Sequence, residues 1–127
     1  TSAKNGDYRS QYTKILKINI SDDTYQIINM DVSEQSVEKG FTDRISTWLE
    51  SFGRSGLVHS DDLEDYLEKT KISYLEDYFS QGKTSLHIFY RRKYDDGFKQ
   101  VMMEIIPAND YSEESKNLFL YVKNIDV

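Results

Sequence analysis

Three β-rich segments in the last third of the chain constrain its fold most strongly. The first covers residues 84–91, the second 98–106 and the third 118–122. Asp96-Gly97, between the first and second segments, predicts a β-hairpin, because a tight primed turn needs positive φ, which glycine adopts freely. Three adjacent antiparallel strands form a sheet that needs one face covered, since a bare hairpin is only marginally stable in water. The covering helices must come from earlier in the chain.

The beginning of the chain predicts another hairpin. Residues 12–20 alternate between apolar and polar side chains, which is the period of a half-buried strand, and Tyr12 falls on the apolar face. Lys14 and Ile15 interrupt this alternation, so we expect the outer face of the strand to be partly covered. A turn rich in aspartate then leads into a return strand over residues 24–30.

The middle of the chain changes to a helical period. Apolar side chains recur at i, i+4, i+7, i+8 and i+11 from Phe41, which predicts an apolar stripe on one helix. Ser60 predicts the N-cap of a further helical segment, whose first turn carries acidic residues that favour the helix dipole. The stripe of this segment shifts near Lys71, so one long helix and two shorter helices both fit. The first stripe consists of Phe41, Ile45, Trp48, Leu49 and Phe52.

The order of these elements predicts the architecture. Two strands, then helices, then three strands give an α+β fold, and the simplest assembly is one antiparallel sheet with the helices packed on one face. Residues 1–11 form a polar N-terminal lead-in, and residues 12–127 suit a single domain with its own core. The chain begins without Met and ends directly after a predicted strand, so we interpret it as a fragment of a longer polypeptide.

Composition argues against several classes of function. The net charge of −6 argues against a nucleic-acid surface, which needs a basic patch. The one basic cluster, Arg91-Arg92-Lys93, precedes the predicted hairpin turn, so we interpret it as the end of a strand whose side chains are exposed to solvent. The absence of cysteine excludes disulfides, thiolate metal sites and cysteinyl adducts of a chromophore, and it fits a cytoplasmic protein. No apolar run approaches the ~18–20 residues of a membrane span.

The titratable residues predict neither catalysis nor metal binding. His59 precedes a helix, where a ring nitrogen can bond the nearby backbone, and His87 lies inside a strand. Neither has a second histidine or a carboxylate at ligand spacing on one helix face. The acidic residues of segment 61–77 lack the glycine and closing glutamate of a calcium loop and suit a solvated helix face. We predict no catalytic residue and no metal site.

Three local motifs, in chain order, resemble those of PAS domains, the sensory modules that often precede output domains in bacteria. Residues 58–63, Val-His-Ser-Asp-Asp-Leu, are similar to the Val-His-Pro-x-Asp start of a PAS helix, with Ser60 where many members have proline. Residues 96–101 resemble the Asp-Gly hairpin before the family's long fourth strand. Residues 122–126 are similar to the segment that closes the last strand. The Tyr-rich opening, 12–25, looks like modules found ahead of diguanylate cyclase (GGDEF) domains.

The resemblance implies a fold and a role. The fold is a PAS-like five-stranded antiparallel sheet in the spatial order 2-1-5-4-3, with helices enclosing a ligand pocket. The role is that of a non-enzymatic sensor that binds a small molecule or relays a signal, as a homodimer, to a C-terminal output domain. A diguanylate cyclase is the first expectation for that domain, and a histidine kinase is the alternative. Because there is no cysteine, and no histidine between Asp61 and Gln81, the resemblance implies neither haem nor cysteine-linked flavin.

The apolar periodicity of the helices and strands identifies residues expected to face a ligand between the helices and the sheet. A shift of one residue in the strand register would exchange the inner and outer positions. Alternatively, the aromatic side chains fill this cavity. Phe119 and Tyr121, on the outer sheet face, are the expected dimer-face residues. A third hypothesis, a small cone-shaped α+β enzyme, requires a polar dyad inside the sheet, such as His87 with Glu104. The candidates for the pocket are Trp48, Phe52, Leu67, Tyr78, Leu86, Ile88, Val101, Met103, Leu120 and Val122.

Overall fold

The computed structural model describes residues 12–31 and 44–125, and its elements follow the predicted order. The predicted lead-in, 1–11, and Phe41, the first residue of the predicted helical stripe, lie outside the described residues. A π-helical turn, Gly53–Leu57, follows the first helix. The helices and strands are β1 (Tyr12–Asn19), β2 (Thr24–Met30), α1 (Ile45–Phe52), α2 (Ser60–Lys69), α3 (Ile72–Ser80), β3 (Leu86–Tyr94), β4 (Gly97–Pro107) and β5 (Asn117–Asn124).

The five strands form one antiparallel sheet in the order β2-β1-β5-β4-β3, which confirms the predicted topology. The first strand therefore pairs with the last. Leu16 of β1 lies opposite Leu120 of β5, and Leu120 lies opposite Ile105 of β4. The early hairpin and the three late strands thus share a single continuous surface.

One face of the sheet is buried beneath the helices, as predicted. In β5, Leu118, Leu120 and Val122 are at most 2% exposed, whereas the side chains between them are half-buried. Trp48 and Phe52 of α1 belong to the same buried cluster as these strand residues. Removal of apolar surface from water is the main favourable term in folding, so this inner face holds the helix layer on the sheet.

The second helical segment forms two helices rather than one. The chain leaves helical geometry at Thr70 and Lys71, whose ψ angles are 1° and 141°. The predicted N-cap, Ser60, is instead the first residue of α2. The cap is His59, whose Nδ1 accepts a hydrogen bond from the Asp61 amide at 3.0 Å. A ring nitrogen here performs the acceptor role that a serine hydroxyl usually fills, which displaces the helix start by one residue.

The start of β1 differs from the predicted alternation. A β-bulge between Tyr12 and Lys14 shifts the register against β5. Tyr12 therefore leaves the inner face, and its ring lies 5.5 Å from that of Tyr121 on the outer face. Lys14 takes an inward position and is 2% exposed. Because a bulge adds one residue to one strand, it reverses the parity of side chains beyond it.

The β3–β4 hairpin forms as predicted, but its turn is not of the primed type. Tyr94 pairs with Gly97, so Asp95 and Asp96 are the two turn residues. Asp23 is the only non-glycine residue with positive φ in segments 12–31 and 44–125, whereas Gly97 has a φ of 122°. The conformation that favours glycine is therefore needed directly after the turn rather than inside it.

We expect Tyr66→Phe to lower the free energy of unfolding by about 1 kcal/mol. The buried hydroxyl of Tyr66 donates to the Leu49 carbonyl at 2.9 Å and so joins α2 to α1. Phenylalanine keeps the ring and loses this bond. Urea denaturation followed by the fluorescence of Trp48, the only tryptophan, measures the change.

Tyr74→Phe is the matched control for this substitution. Tyr74 is half-buried and its ring stacks 6.2 Å from that of Tyr78, but its hydroxyl makes no hydrogen bond within the described residues. We expect its effect to stay within about 0.5 kcal/mol. Equal losses in the two variants would contradict a specific role for the Tyr66 hydroxyl.

Candidate functional site

The predicted pocket residues converge on one hydrophobic core between the helices and the sheet. Leu67 of α2 and Tyr78 of α3 are half-buried and pack against this core. The others come from α1 and from the inner face of β3, β4 and β5. That they bind a ligand stays a prediction. The candidates that are at most 5% exposed are Trp48, Phe52, Leu86, Ile88, Val101, Met103, Leu120 and Val122.

A chain of aromatic rings occupies the middle of this core. The ring of Trp48 lies 6.1 Å from that of Tyr25 and 5.8 Å from that of Phe52. Phe52 lies 6.3 Å from Tyr66, which lies 5.1 Å from Tyr90. Burial raises the pKa of the Tyr66 hydroxyl well above its ordinary value, so this hydroxyl stays protonated and donates its hydrogen bond. The packing supports the alternative of a filled core.

The pocket predicted from the sequence omits Tyr66 and Tyr90, although both are buried. The sequence could have identified Tyr90, because it is two residues after Ile88 and four after Leu86 and therefore lies on the same face of β3. Tyr66 lies on the same helical stripe as Leu67, which the prediction included. The long amphipathic side chain of tyrosine suits both core and surface, so its parity alone does not decide its burial.

Two basic side chains enter the core beside Phe52. Lys14 places Nζ 4.4 Å from the centroid of the Phe52 ring and 4.6 Å from that of Trp48. Arg92 places its guanidinium carbon 5.5 Å from the Phe52 ring and 4.4 Å from that of Tyr94. Cation–π attraction is stronger when the cation is desolvated, and these residues are 2% and 4% exposed. The core is therefore lined by positive charge as well as by apolar side chains.

The cluster Arg91-Arg92-Lys93 is not the solvated strand end that the sequence predicted. Lys93 is exposed, but Arg92 is buried, and Arg91 bonds to Asp62 at the start of α2. The Asp62 carboxylate accepts hydrogen bonds from the Arg91 backbone amide at 2.8 Å, from Nε at 2.9 Å and from Nη2 at 3.1 Å. The Arg91 hydrogen bonds lower the pKa of Asp62. This contact, the β3–α2 clip, ties an edge strand to the helix layer.

The outer sheet face carries the predicted dimer-face residues. Phe119 and Tyr121 alternate with buried residues of β5, and their ring centroids are 6.1 Å apart. Tyr121 lies opposite Ile15 on one side and Glu104 on the other. The ammonium group of Lys17 lies 5.8 Å from the Phe119 ring. Pairing through this half-buried, partly apolar row stays a prediction.

His87 and Glu104 form a cross-strand pair on the same outer face. They are register partners in β3 and β4, with 3.0 Å between Nε2 and Oε2. The His87 side chain is 41% exposed, and its neighbours Leu86 and Ile88 point to the inner face. A dyad outside the sheet cannot line a catalytic cavity inside it. The dyad named as an example for the hypothesis of a cone-shaped enzyme therefore lies on the face opposite to the one that hypothesis requires.

The described segments contain neither a grouped set of metal ligands nor a membrane-crossing helix. Within residues 12–31 and 44–125, no three His, Asp or Glu side chains stand close enough together to hold a metal ion. No helix in the same segments is long and apolar enough to cross a membrane. The expectations about metals, haem and flavin stay predictions.

No protein-family model and no curated protein sequence matches the chain. Its structure is similar to that of an RNA-binding light-oxygen-voltage receptor, with a TM-score of 0.54 and 8% identity over 89% of this chain and 29% of the receptor. A sensory box histidine kinase/response regulator from Burkholderia thailandensis has a TM-score of 0.51 and 11% identity, covering 99% of this chain and 86% of that one. The N-terminal domain of a diguanylate cyclase with PAS/PAC sensor from Marinobacter aquaeolei has a TM-score of 0.46 and 17% identity, covering 88% and 94%.

At these identities the similarity is one of fold. The five-stranded order 2-1-5-4-3 with helices on one face is the PAS-like fold, so the architecture that the sequence motifs predicted is confirmed. The chain spans less than a third of the light-oxygen-voltage receptor, at 29% of its length. The similarity therefore does not assign the activities of these proteins to this chain.

We expect Asp62→Asn to reduce stability at neutral pH by about 1 kcal/mol, because it removes the charge that holds the β3–α2 clip. The folded-state pKa of Asp62 is lowered, so its contribution is present above the ordinary pKa of aspartate and is lost as pH falls through the folded-state value. The gap between wild type and variant should therefore close below about pH 4. Urea denaturation at a series of pH values measures this closure.

Asp61→Asn is the control for the clip. Asp61 is adjacent, but its side chain is 74% exposed and its carboxylate lies 3.7 Å from Nη2 of Arg91. An exposed pair of this kind contributes a few tenths of a kcal/mol at most, so we expect little change. A gap for Asp62→Asn that persisted at acid pH would contradict the assigned role of its charge.

Proposed function

We propose that this chain is the sensory domain of a cytoplasmic bacterial signalling protein, and that it passes a signal to a linked C-terminal output domain through the pairing of two copies. One observation carries the proposal: the PAS-like sheet is buried under helices on one face and only half-buried on the other. A relay needs one surface that receives a signal and another that transmits it. The two faces of the sheet provide such surfaces, joined through the same strands.

The outer face supports the pairing part of the proposal. Besides Phe119 and Tyr121, it includes Phe89, which is 53% exposed and lies opposite Met102. Aromatic residues and methionine are enriched at protein interfaces. A two-fold contact places the same patch on both subunits, so a row of rings along β5 can pack against its own copy.

We propose a diguanylate cyclase as the output domain and a histidine kinase as the second candidate. The Tyr-rich opening of the chain, which resembles modules ahead of GGDEF domains, supports the first. Sequencing the parent gene beyond Val127 tests this part directly. A Gly-Gly-Asp-Glu-Phe signature in that continuation supports the cyclase, and a histidine-kinase phosphoacceptor segment supports the alternative. The absence of both signatures would contradict both candidates.

The pairing proposal predicts a homodimer that Phe119→Glu converts to a monomer. A homodimer interface of ordinary size buries ~1,200–2,000 Å² in total, and a carboxylate placed at its centre is desolvated without a partner. We expect the dissociation constant of the dimer to rise at least about a hundredfold, which corresponds to a loss of about 2.7 kcal/mol. Sedimentation velocity over a series of protein concentrations measures the shift.

Ile28→Glu is the matched control for this experiment. Ile28 is 51% exposed on the edge strand β2, so the same apolar-to-acidic change occurs on the sheet away from β5. We expect this variant to dimerise like wild type. If wild type is a monomer at high concentration, or if both variants dissociate equally, the outer face is not the pairing surface.

The sensing part of the proposal predicts a small-molecule ligand that stabilises the fold. A ligand at a hundredfold excess over its dissociation constant adds ~2.7 kcal/mol to the free energy of unfolding. A thermal-shift screen of metabolites, with native mass spectrometry for retained molecules, detects this effect. A ligand that enters the core must also move the ring of Trp48, so its fluorescence should change with binding. A screen without any stabilising compound would rule out ligand sensing and leave only the relay through pairing.

A further inference from the structure

A surface groove of about 350 Å³ lies between α1 and the junction of α2 and α3. Ser46, Glu50 and Arg54 form one wall, since residues four apart lie on one side of a helical segment. Residues 70–73, where the chain passes from α2 to α3, form the other. The volume falls within the range of small-molecule sites. The groove is separate from the aromatic core and from the outer sheet face.

Leu67 and Ile72 supply the apolar part of the lining. Both are half-buried, and both also pack against the hydrophobic core. The contact of the π-helical turn with α2 beside them is tight, because a Cβ on Gly53 would lie 2.8 Å from Cε1 of Tyr66 and 3.1 Å from Cδ2 of Leu67. An aliphatic group placed on Leu67 and Ile72 would bury apolar surface of its own and of the groove.

The charged side chains of the lining offer hydrogen-bond donors to an anion. They are two bases, Arg54 and Lys71, and one acid, Glu50, and a second acid, Glu68, lies beside Lys71, so the charges around the groove balance. Nε of Arg54 bonds to Glu50 at 3.1 Å, and Nζ of Lys71 lies 3.5 Å from Glu68, which is outside the lining. A guanidinium has five donors and an ammonium three, so each cation retains donors for a further acceptor.

The hydroxyl groups of the groove differ in what they can offer. Thr70 donates to the Tyr66 carbonyl at 2.8 Å, and Ser46 donates to Asp23 at 2.6 Å. The Ser73 hydroxyl makes no hydrogen bond within the described residues, so it is available as a donor. Free donors thus come from the two bases and from Ser73, next to an apolar surface. The complementary molecule has a carboxylate at one end and an aliphatic body at the other.

We propose that this groove binds a small aliphatic monocarboxylate, with the carboxylate held by Arg54 and Lys71 and the aliphatic body packed on Leu67 and Ile72. The signalling consequence rests on the proposed function, because a sensor needs a ligand site. The binding itself is a property of this chain alone. Failure to bind would leave pairing through the outer face untouched, and a monomeric chain would leave the groove untouched.

The test is a titration of the ¹⁵N-labelled chain with 4-methylpentanoate, followed by two-dimensional ¹H–¹⁵N NMR. We expect saturable shifts centred on Arg54 and on residues 70–73, with a dissociation constant on the order of 1 mM for a ligand of this size. The uncharged 4-methylpentanamide has the same shape and should bind about tenfold more weakly. No saturable shift at about twenty times that concentration would overturn the proposal.

Charge variants assign the site. Arg54→Gln and Lys71→Gln replace side chains that are 62% and 61% exposed, so the fold should be retained. Together we expect them to weaken binding about tenfold. Lys93→Gln is the matched control for each single variant, since it also removes one positive charge, from an exposed position on β3, and it should bind like wild type.

The remaining outcomes decide against the proposal in distinct ways. If Lys93→Gln weakened ligand binding as much as a single groove variant, the loss of affinity would come from the net charge of the chain rather than from this site. Shifts centred on Ile88 and Leu120 would place the ligand in the core. Tighter binding of leucine than of 4-methylpentanoate would identify a zwitterion, with Glu50 taking the ammonium group, and would overturn the assignment of a monocarboxylate.

Discussion

The packing of α1 onto the inner face of the sheet is the interaction on which the rest of this structure depends. Trp48 and Phe52 are each 1% exposed. Through their rings α1 contacts Tyr25 of β2, Tyr66 of α2 and the ammonium group of Lys14 in β1. Aromatic residues bury the largest apolar areas, and truncation of such a residue in a core usually costs about 3–5 kcal/mol. One short helix thereby joins elements that are distant in sequence.

The pairing of β1 with β5 determines how the two faces of the sheet are related. β5 lies between β1 and β4, so it is internal to the sheet. Along it Leu120 faces the helices, while Phe119 and Tyr121 on either side face outward. Because protein interiors are close-packed, a change around Leu120 displaces backbone that the outer residues share. β5 thus connects the helix-covered face of the sheet to the outer face on which pairing is proposed.

The helices and strands were largely predictable because their signals are local, whereas the strand order was implied by the resemblance to PAS domains. The two hairpins follow from alternation and turn residues, and the break at Lys71 is visible as a shift of the apolar stripe. The errors occur where a long-range contact overrides a local preference. Arg92 was predicted to lie at a solvated strand end, and Lys14 was noted only as an interruption of the alternation. Both are buried, because the rings of Trp48, Phe52 and Tyr94 lie beside their charged groups.

The groove was not predictable for a related reason. Its walls come from α1 and from the α2–α3 junction, so their distance depends on how both elements pack on the sheet. In the sequence, Arg54 and Lys71 are merely exposed charges. The packing of Gly53, directly after α1, against Tyr66 and the hydrogen bond from Tyr66 to Leu49 show how closely α1 approaches α2.

The aromatic packing of the core and the open groove together indicate where a ligand could act on this fold. A molecule entering the core has to displace rings that also hold α1 in place, so its binding energy is reduced by the cost of repacking. A molecule in the groove displaces solvent only. It would nonetheless reach the core through Leu67, next to Tyr66, whose hydroxyl bonds to Leu49 of α1 at 2.9 Å. A ligand in the groove could therefore change the relative position of α1 and α2, and with it the packing on the inner face of β5, without opening the interior.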